Sequence, residues 1–177
     1  MHGLATRRFT LTAIAASGAL AASLALAGSA SAVTPATATA SFDCGFAGSG
    51  TVTLTAADSG SGKTIRVDST DIRTQFPLDA NTVTTSLKLN KTSGGVTSEV
   101  QFSGTVHEAA NTGDPIAFGP LPLAAGSLAT GDTTDTAALT GTPSADNWSL
   151  KFTVNGPDGS FTSYCTATSA QSSALTW

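Results

Sequence analysis

Apolar and polar residues alternate with a period of two along most of the chain after residue 40, as is typical of half-buried β-strands. The clearest case spans 96–107, where Val100 and Phe102 share one face and polar side chains occupy the other. A second clean alternation runs from Trp148 to Val154. No segment after residue 32 sustains the apolar period of a helix, so the pattern predicts an all-β chain.

Clusters of Gly, Pro, Asn and Ser divide this pattern into short pieces of strand length. The predicted strand segments are 42–46, 52–56, 65–67, 72–76, 83–89, 96–107, 137–139, 148–154 and 161–167, with two edge segments at 116–118 and 121–123 beside prolines. This spacing predicts an antiparallel β-sandwich of immunoglobulin-like architecture. It is not a true immunoglobulin domain, because Trp148 lies far from the first cysteine and Tyr164 precedes the second cysteine by only one residue.

The start of the chain has the composition of an export signal. Arg7 and Arg8 supply a positive start, an Ala/Leu-rich run covers 11–26, and Ala30-Ser31-Ala32 forms a small-residue cleavage pattern. A membrane helix is the alternative, but the run is short, rich in alanine and followed by a small-residue exit. We therefore predict a secreted, extracellular protein.

Cleavage after Ala32 predicts a signal peptide over 1–32, a flexible leader over 33–40 and a single sandwich domain over 41–177. The secreted part carries six basic and twelve acidic residues, a net charge of −6. It has no basic stripe, so nucleic acid is not an expected partner. It also lacks a second apolar run of the ~20 residues that cross a bilayer, so no membrane span is predicted in the mature protein.

The only two cysteines are predicted to form a disulfide. Leu, Ile, Val and Phe make up just under a fifth of residues 33–177, which indicates a thin core. In an oxidising compartment Cys44 and Cys165 would form one bridge. The bridge lowers the conformational entropy of the unfolded chain, which in the entropic account stabilises the fold by about 4–5 kcal/mol. Spacing alone leaves open whether the bridge joins neighbouring strands or crosses between sheets. A catalytic thiol or a zinc site is disfavoured, because the mature chain has a single histidine.

Motifs that suggest catalysis have simpler interpretations. Residues 57–64 match a relaxed phosphate-loop pattern, but a strand-like segment, 65–67, follows where that mechanism needs a helix. A Gly/Ser hairpin loop is the better interpretation. His107 lies on the polar face of its strand, so we expect a solvent-exposed histidine rather than a general base. Glu99 and Glu108 are the candidate pair for glycoside hydrolysis, but no aromatic platform flanks them, and no enzyme is predicted.

Two acidic pairs, Asp68 with Asp71 and Asp132 with Asp135, are the candidates for a calcium loop. Neither stretch has the regular acidic spacing that makes such a site recognisable, so we predict no metal site and no cofactor.

The two tryptophans differ in their predicted surroundings. Trp148 is in phase with Leu150 and Phe152, which predicts a core position. Trp177 ends the chain and is expected to be exposed.

Four stretches carry a resemblance to a known group of proteins. They are the Ala-rich signal with Arg7-Arg8, the Ser41-Phe42-Asp43-Cys44 strand, the Thr51-Val52-Thr53-Leu54 strand and the closing Ser163-Tyr164-Cys165-Thr166 strand. Together they resemble uncharacterised secreted actinobacterial β-sandwich proteins with one N-/C-terminal cysteine pair. The resemblance implies the sandwich fold and export, and it implies no activity.

The expected function is that of a non-catalytic surface or matrix interaction module. The predicted contact face is the polar side of one strand, Thr97, Glu99, Gln101, Ser103 and Thr105. Cell-wall material or an extracellular protein or polysaccharide is the expected type of partner. A carrier of a small apolar ligand between the sheets is the alternative, and a buried cavity of ~300 Å³ would distinguish it. A secreted hydrolase using Glu99, Glu108 or His107, or a protease inhibitor using the 114–123 loop, is the third.

Overall fold

The computed structural model describes residues 32–59, 62–156 and 159–177, which form antiparallel strands. The strands are β1 (Thr37–Asp43), β2 (Ser49–Asp58), β3 (Lys63–Arg73), β4 (Val83–Ser93), β5 (Val96–Gly104), β6 (Pro115–Ala125), β7 (Thr133–Asp135), β8 (Leu150–Gly156), β9 (Gly159–Ala167) and β10 (Leu175–Thr176). A single 3₁₀ turn, Gly45–Ala47, joins β1 to β2. The prediction of an all-β, antiparallel chain is confirmed. Residues 1–31 of the predicted signal peptide lie outside the described residues.

Eight of the strands form a closed ring in the order β4, β5, β6, β3, β2, β1, β9 and β8, because β8 pairs back onto β4. The remaining two strands extend the sheet beside the second half of β4, where 90–92 pair with β7 and β7 pairs with β10. The sheet therefore closes into an eight-stranded barrel, and the predicted sandwich is corrected accordingly.

Two strands close the barrel because each changes its partner along its length. Strand β6 pairs with β3 over 115–122 and with β5 at 123–125. Strand β9 pairs with β8 over 159–165 and with β1 at 166–167. A period-two pattern records which side of a strand faces the core, but it does not record which strand lies beside it. For this reason the sequence pattern alone does not separate a sandwich from a barrel.

The proline-rich segment forms one central strand instead of the two predicted edge pieces. Gly119 and Pro120 both lie opposite Arg66 in a β-bulge between β6 and β3. The extra residue of a bulge is unpaired, so proline costs no ladder hydrogen bond there. Gly119 has a φ of +113°, and a Cβ at this position would lie 2.9 Å from the carbonyl oxygen of Ile65, so the bulge requires glycine.

The hairpin between β2 and β3 agrees with the Gly/Ser loop predicted from 57–64. The two strands pair as far as Asp58 and Lys63, and Ser59 N–H donates to the carbonyl oxygen of Gly62 at 3.1 Å. Gly60 and Ser61 lie outside the described residues. The segment that follows is strand β3, so the helix needed for phosphate binding is absent at that point.

The core includes the last residue of the chain. Trp177 is 1% exposed, so the expectation that it is exposed is wrong. Its ring stacks on Phe102 with centroids 5.5 Å apart, and its Nε1–H donates to Thr134 Oγ1 at 2.9 Å. Strand β10 causes this burial, because its pairing with β7 carries the chain end back over the barrel.

The segment predicted as a flexible leader contains ordered structure. Strand β1 begins at Thr37, and Val33 is buried against the core. Thr34 pairs with Thr176 through two backbone hydrogen bonds of 2.9 and 3.0 Å. The chain around residue 34 is therefore fixed to its own C-terminal strand.

None of the helical structure in the described ranges is long or apolar enough to cross a membrane.

Candidate functional site

An apolar pocket opens at one end of the barrel, which we call the aromatic end. This end is formed by the 44–48 turn between β1 and β2, the 74–82 loop between β3 and β4, the 105–114 loop between β5 and β6, and the hairpin between β8 and β9. The pocket is lined by Phe46, Ala47, Ile72, Arg73, Thr74, Gln75, Phe76, Leu78, Val83, Ile116, Phe118, Phe152, Val154, Phe161 and Ser163. Eleven of these fifteen residues are apolar, so the pocket offers a water-excluding surface.

Three exposed phenylalanines form the rim of the pocket. Phe46, Phe76 and Phe161 are 60%, 36% and 47% exposed, respectively. The ring of Phe161 makes edge-to-face contacts with both others, at centroid distances of 5.5 Å to Phe46 and 6.3 Å to Phe76. Exposed rings that contact one another over a concave surface are the usual mark of an interaction site.

The interior of the pocket is small. Phe118 and Phe152 lie below the rim with ring centroids 4.9 Å apart. The pocket holds about 60 Å³. A water molecule needs roughly 10–15 Å³ on this scale, so the pocket accepts a group of about four to six non-hydrogen atoms.

The predicted disulfide between Cys44 and Cys165 is confirmed, and it lies beside the rim. It joins neighbouring strands, because it follows the Asp43–Thr166 pair of the β1–β9 ladder. That ladder has only two residue pairs, as few as any in the barrel, so the bond reinforces one of its shortest ladders. Cys44 also starts the turn that carries Phe46, since its N–H donates to Gly48 and its carbonyl accepts from Ala47.

Ser163 contributes the least satisfied polar group of the pocket lining. It is 8% exposed, and its Oγ is buried with no hydrogen-bond partner among the described residues. Its cross-strand partner is Phe152, which lies in β8 and forms part of the pocket floor. A buried hydroxyl without a partner costs about 1–3 kcal/mol, which is the kind of defect that functional sites retain.

The aromatic end is acidic. Its carboxylates are those of Asp43, Asp71, Asp79, Glu108 and Asp114. Arg73 is the one basic residue among the described residues of this end, and its guanidinium donates to the carbonyl oxygen of Gly113 at 2.8 Å. The connections at this end therefore carry an excess of negative charge, while Arg73 lines the pocket itself.

His107 is buried rather than solvent-exposed, so its predicted position is wrong. The alternation of β5 ends at Gly104, after which Val106 is exposed and His107 faces inward. Its Nε2 accepts from the N–H of Val83 at 3.0 Å, so the proton lies on Nδ1, which donates to the carbonyl oxygen of Glu108 at 2.7 Å. Both ring nitrogens are used by the backbone and neither is placed to act as a base.

The carboxylates proposed for hydrolysis are separated. Glu108 shares with His107 an open crevice of about 290 Å³ beside the pocket. Glu99 lies on the outer face of β5, where its Oε2 is 3.6 Å from Lys88 Nζ. The structure thus brings Glu108 and His107 together and leaves Glu99 away from them.

The predicted contact face lies on the outside of β5 and just beyond it. Thr97 and Glu99 are exposed, whereas Gln101 and Ser103 are half-buried. The Oγ of Ser103 is 2.8 Å from that of Ser86 and donates to the Thr85 carbonyl oxygen, so part of the face is engaged within the sheet. Thr105, exposed, follows the end of the strand. That this face binds a partner stays a prediction.

Trp148 is half-buried at the surface and not in the core as predicted. The ammonium groups of Lys88 and Lys151 lie over its ring, 4.2 and 4.4 Å from the centroid. Two cations on one indole stabilise the surface by cation–π attraction and cover the ring. Trp148 is therefore not a free stacking platform.

The acidic pairs considered for calcium are engaged by protein groups. Asp68 pairs with Arg66, Asp71 accepts from the N–H of Thr51, and Asp135 accepts from the N–H of Gln171. Among the described residues, no three His, Cys, Asp or Glu side chains are grouped to hold a metal ion.

Asp132 is held at the end of the barrel opposite the pocket. It accepts from the N–H of Ala129 at 2.8 Å and lies 3.8 Å from Lys91 Nζ. The hydrogen bonds from Ala129 and Ser93, together with Lys91, lower the pKa of Asp132 below its ordinary value.

Sequence reasoning missed the rim of the pocket. The alternation places Phe46 inside the predicted strand 42–46 and Phe76 at the end of the predicted strand 72–76, and neither position indicates a rim. One local signal was available, because Phe46 follows a glycine and Phe76 precedes a proline. Glycine and proline favour turns, which is consistent with both rings lying in connections, but the same neighbours do not by themselves indicate exposure, since Phe118 beside Gly119 is buried.

Comparisons with protein-family models, with curated proteins and with solved structures find no match to this chain.

Proposed function

We propose that this protein is a secreted, non-catalytic interaction module that holds an apolar group of its partner in the phenylalanine-rimmed pocket. The observation that carries the proposal is the set of three exposed, mutually contacting rings of Phe46, Phe76 and Phe161 around an apolar depression. A soluble protein exposes such rings at a cost unless a partner covers them. Buried aromatic anchors also supply much of the energy at protein interfaces.

The volume of the pocket favours an anchor over a carrier. A carried ligand would need a cavity of roughly 300 Å³ or more, and the pocket holds about 60 Å³. Its capacity of about four to six non-hydrogen atoms matches the four carbon atoms of a leucine side chain. We therefore favour an apolar group that projects from a larger partner, and a carrier of a small ligand between the sheets is the weaker alternative.

The binding free energy expected for a leucine-sized group also favours an anchor on a larger partner over a carried small molecule. Burial of a leucine-sized group contributes about 1.5–3 kcal/mol, which by itself corresponds to a Kd no tighter than about 10 mM. An isolated small molecule would therefore bind weakly. A partner that also covers the rim rings would bury much more apolar surface in the same contact.

The extracellular setting belongs to the proposal, and so does the resemblance to secreted actinobacterial β proteins. The Cys44–Cys165 bond supports it, because disulfides persist in oxidising compartments. Among the expected partners, an extracellular protein is favoured over a polysaccharide, since the pocket lining is apolar and sugars present mainly hydroxyl groups.

The proposal is tested by nuclear magnetic resonance titration of the ¹⁵N-labelled chain with N-acetyl-leucinamide. We expect saturable shifts of the amide signals of Ile72–Leu78 and Phe161–Ser163, with a Kd of about 10 mM or weaker. N-acetyl-glycinamide has no apolar side chain and is expected to leave these signals in place. Equal shifts with both compounds, or shifts scattered over the whole barrel, would reject the pocket as the binding site.

A matched pair of variants separates the pocket from apolar surface in general. Phe161→Ala removes a rim ring and is expected to weaken N-acetyl-leucinamide binding at least threefold, because the ring covers the bound side chain. Val96→Ala trims an apolar side chain that is even more exposed, in the β4–β5 hairpin at the opposite end, and it should leave binding unchanged. Equal effects of the two substitutions would contradict the proposal.

A further inference from the structure

We infer that the partner segment is basic, with a leucine-sized apolar side chain flanked by lysine or arginine. This inference rests on the proposed function and adds the charge of the partner. It follows from the distribution of charge along the barrel, which is independent of the apolar lining of the pocket.

Carboxylates outnumber cations in the described connections of the aromatic end, although the one charged residue that lines the pocket itself is Arg73. Asp79 belongs to the loop that carries Phe76, and Asp43 lies at the end of β1, three residues before Phe46. Glu108 is exposed in the loop that follows β5 and lines the adjacent crevice together with Asp114. A basic segment that inserts an apolar side chain would therefore place its flanking charges near carboxylates.

The basic residues lie elsewhere and have other partners. Lys63 pairs with Asp58 and Lys91 pairs with Asp132, both at the end opposite the pocket. Lys88 and Lys151 lie over the ring of Trp148. Arg66 is engaged with Asp68, and Arg73 alone belongs to the aromatic end.

This separation excludes some partners by repulsion. An acidic peptide or an anionic membrane surface would bring negative charge against the carboxylates at the mouth before any apolar group reached the pocket. Each exposed ion pair with a basic segment contributes modestly, and two or three such pairs raise affinity by roughly tenfold. The charge thus selects the partner, while the pocket anchors it.

Three capped pentapeptides test the inference on the purified chain by the same magnetic resonance titration. They are Lys-Lys-Leu-Lys-Lys, Glu-Glu-Leu-Glu-Glu and Lys-Lys-Gly-Lys-Lys. We expect the lysine–leucine peptide to bind roughly tenfold tighter than each of the other two. Raising the salt concentration from about 0.05 to 0.5 M should remove most of its advantage over the glutamate peptide. At the higher concentration, salt screens the attraction between exposed charges that are more than a few ångströms apart.

Each result of the peptide comparison supports or overturns the inference. Equal binding of the lysine–leucine and glutamate–leucine peptides would overturn the role of charge and leave the pocket proposal standing. Equal binding of the lysine–leucine and lysine–glycine peptides would show attraction without insertion, which also overturns the inference. If N-acetyl-leucinamide itself fails to bind, the proposed function fails, and that result is separate from the peptide selectivity.

A double variant assigns the selectivity to named carboxylates. Asp79→Asn with Glu108→Gln removes two exposed negative charges of the aromatic end, and it should lower affinity for the lysine–leucine peptide several-fold while leaving N-acetyl-leucinamide binding unchanged. The matched control is Asp146→Asn, an exposed carboxylate in the 144–147 turn that does not line the pocket. Unchanged peptide affinity in the double variant would overturn the assignment, provided that its circular dichroism and melting curve match those of the parent.

Discussion

The indole of Trp177 stacks on the ring of Phe102 at a tilt of 19°, so the last residue of the chain packs against the second half of β5. The same indole donates a hydrogen bond to Thr134, and the backbone N–H of Trp177 donates to the carbonyl oxygen of Asp132. A residue at the chain end that makes this many contacts is part of the core.

Trp177→Ala is therefore expected to destabilise the barrel strongly. It removes the largest fully buried side chain, and substitutions of this kind cost about 3–5 kcal/mol. Trp148→Ala is the matched control, because Trp148 is half-buried under two lysines and its loss should cost about 1 kcal/mol. Urea unfolding followed by circular dichroism measures both values. A similar loss for the two variants would contradict the assignment of Trp177 to the core.

The disulfide is expected to stabilise both the fold and the pocket. The two cysteines are 121 residues apart in the sequence. Replacing both by serine restores conformational entropy to the unfolded chain, which in the entropic account lowers the free energy of unfolding by up to about 5 kcal/mol. The substitution also loosens the turn that carries Phe46, so binding of N-acetyl-leucinamide should weaken. Thermal melting of the parent with and without reductant, next to the double variant, measures the first effect. Identical midpoints in all three samples would show that the bond contributes nothing.

Two buried serines should respond to alanine in opposite directions. Ser163→Ala removes a hydroxyl without a partner, so stability should stay the same or rise by up to about 1 kcal/mol. Ser149→Ala removes a hydroxyl that accepts from the N–H of Ala167 and donates to the carbonyl oxygen of Cys165, and it should cost about 1–3 kcal/mol. Chemical unfolding of the two variants side by side gives the comparison. A loss at Ser163 as large as that at Ser149 would show that its hydroxyl is satisfied.

Asp132 should make stability depend on acid pH. The hydrogen bond from Ala129 and the other favourable contacts hold its pKa in the folded state below the ordinary value of about 3.9. Its contribution is therefore fully present above that value, and it is lost as the pH falls through the lower, folded-state pKa. Asp132→Asn should flatten the fall in melting temperature between about pH 5 and pH 2, whereas Asp146→Asn should leave its slope unchanged. Parallel curves for the parent and both variants would exclude Asp132 as the source.

The sequence pattern predicts the strands better than their arrangement. Val52, Leu54, Ile65 and Val67 are buried as their alternation indicates, because one side of a strand must face the core. The closure of the barrel depends on β6 and β9, each of which pairs on one edge with the preceding strand and on the other edge with a strand far away in the sequence, β3 and β1, respectively. Period-two alternation contains no information on such pairings, and this is the physical reason that a sandwich was expected.

The site was less predictable than the fold. Cys44 and Cys165 could be paired from their number and from the predicted export. The rim could not, because Phe46 and Phe76 come from two separate connections and Phe161 from strand β9, and only the closed barrel brings the three rings into contact. His107 was predicted to be exposed and is buried. The alternation of β5 ends at Gly104, so it does not determine which way His107 faces.

The β1–β9 ladder also determines when the barrel can close during folding. Strand β1 pairs with β2 as soon as both exist, but its other edge has no partner until 166–172 have been made. A chain that folds from its N-terminus therefore carries an open strand edge until those residues are available, and such an edge pairs readily with other chains. The barrel closes only when 166–172 pair with this edge of β1, and the Cys44–Cys165 bond then links the two strands covalently.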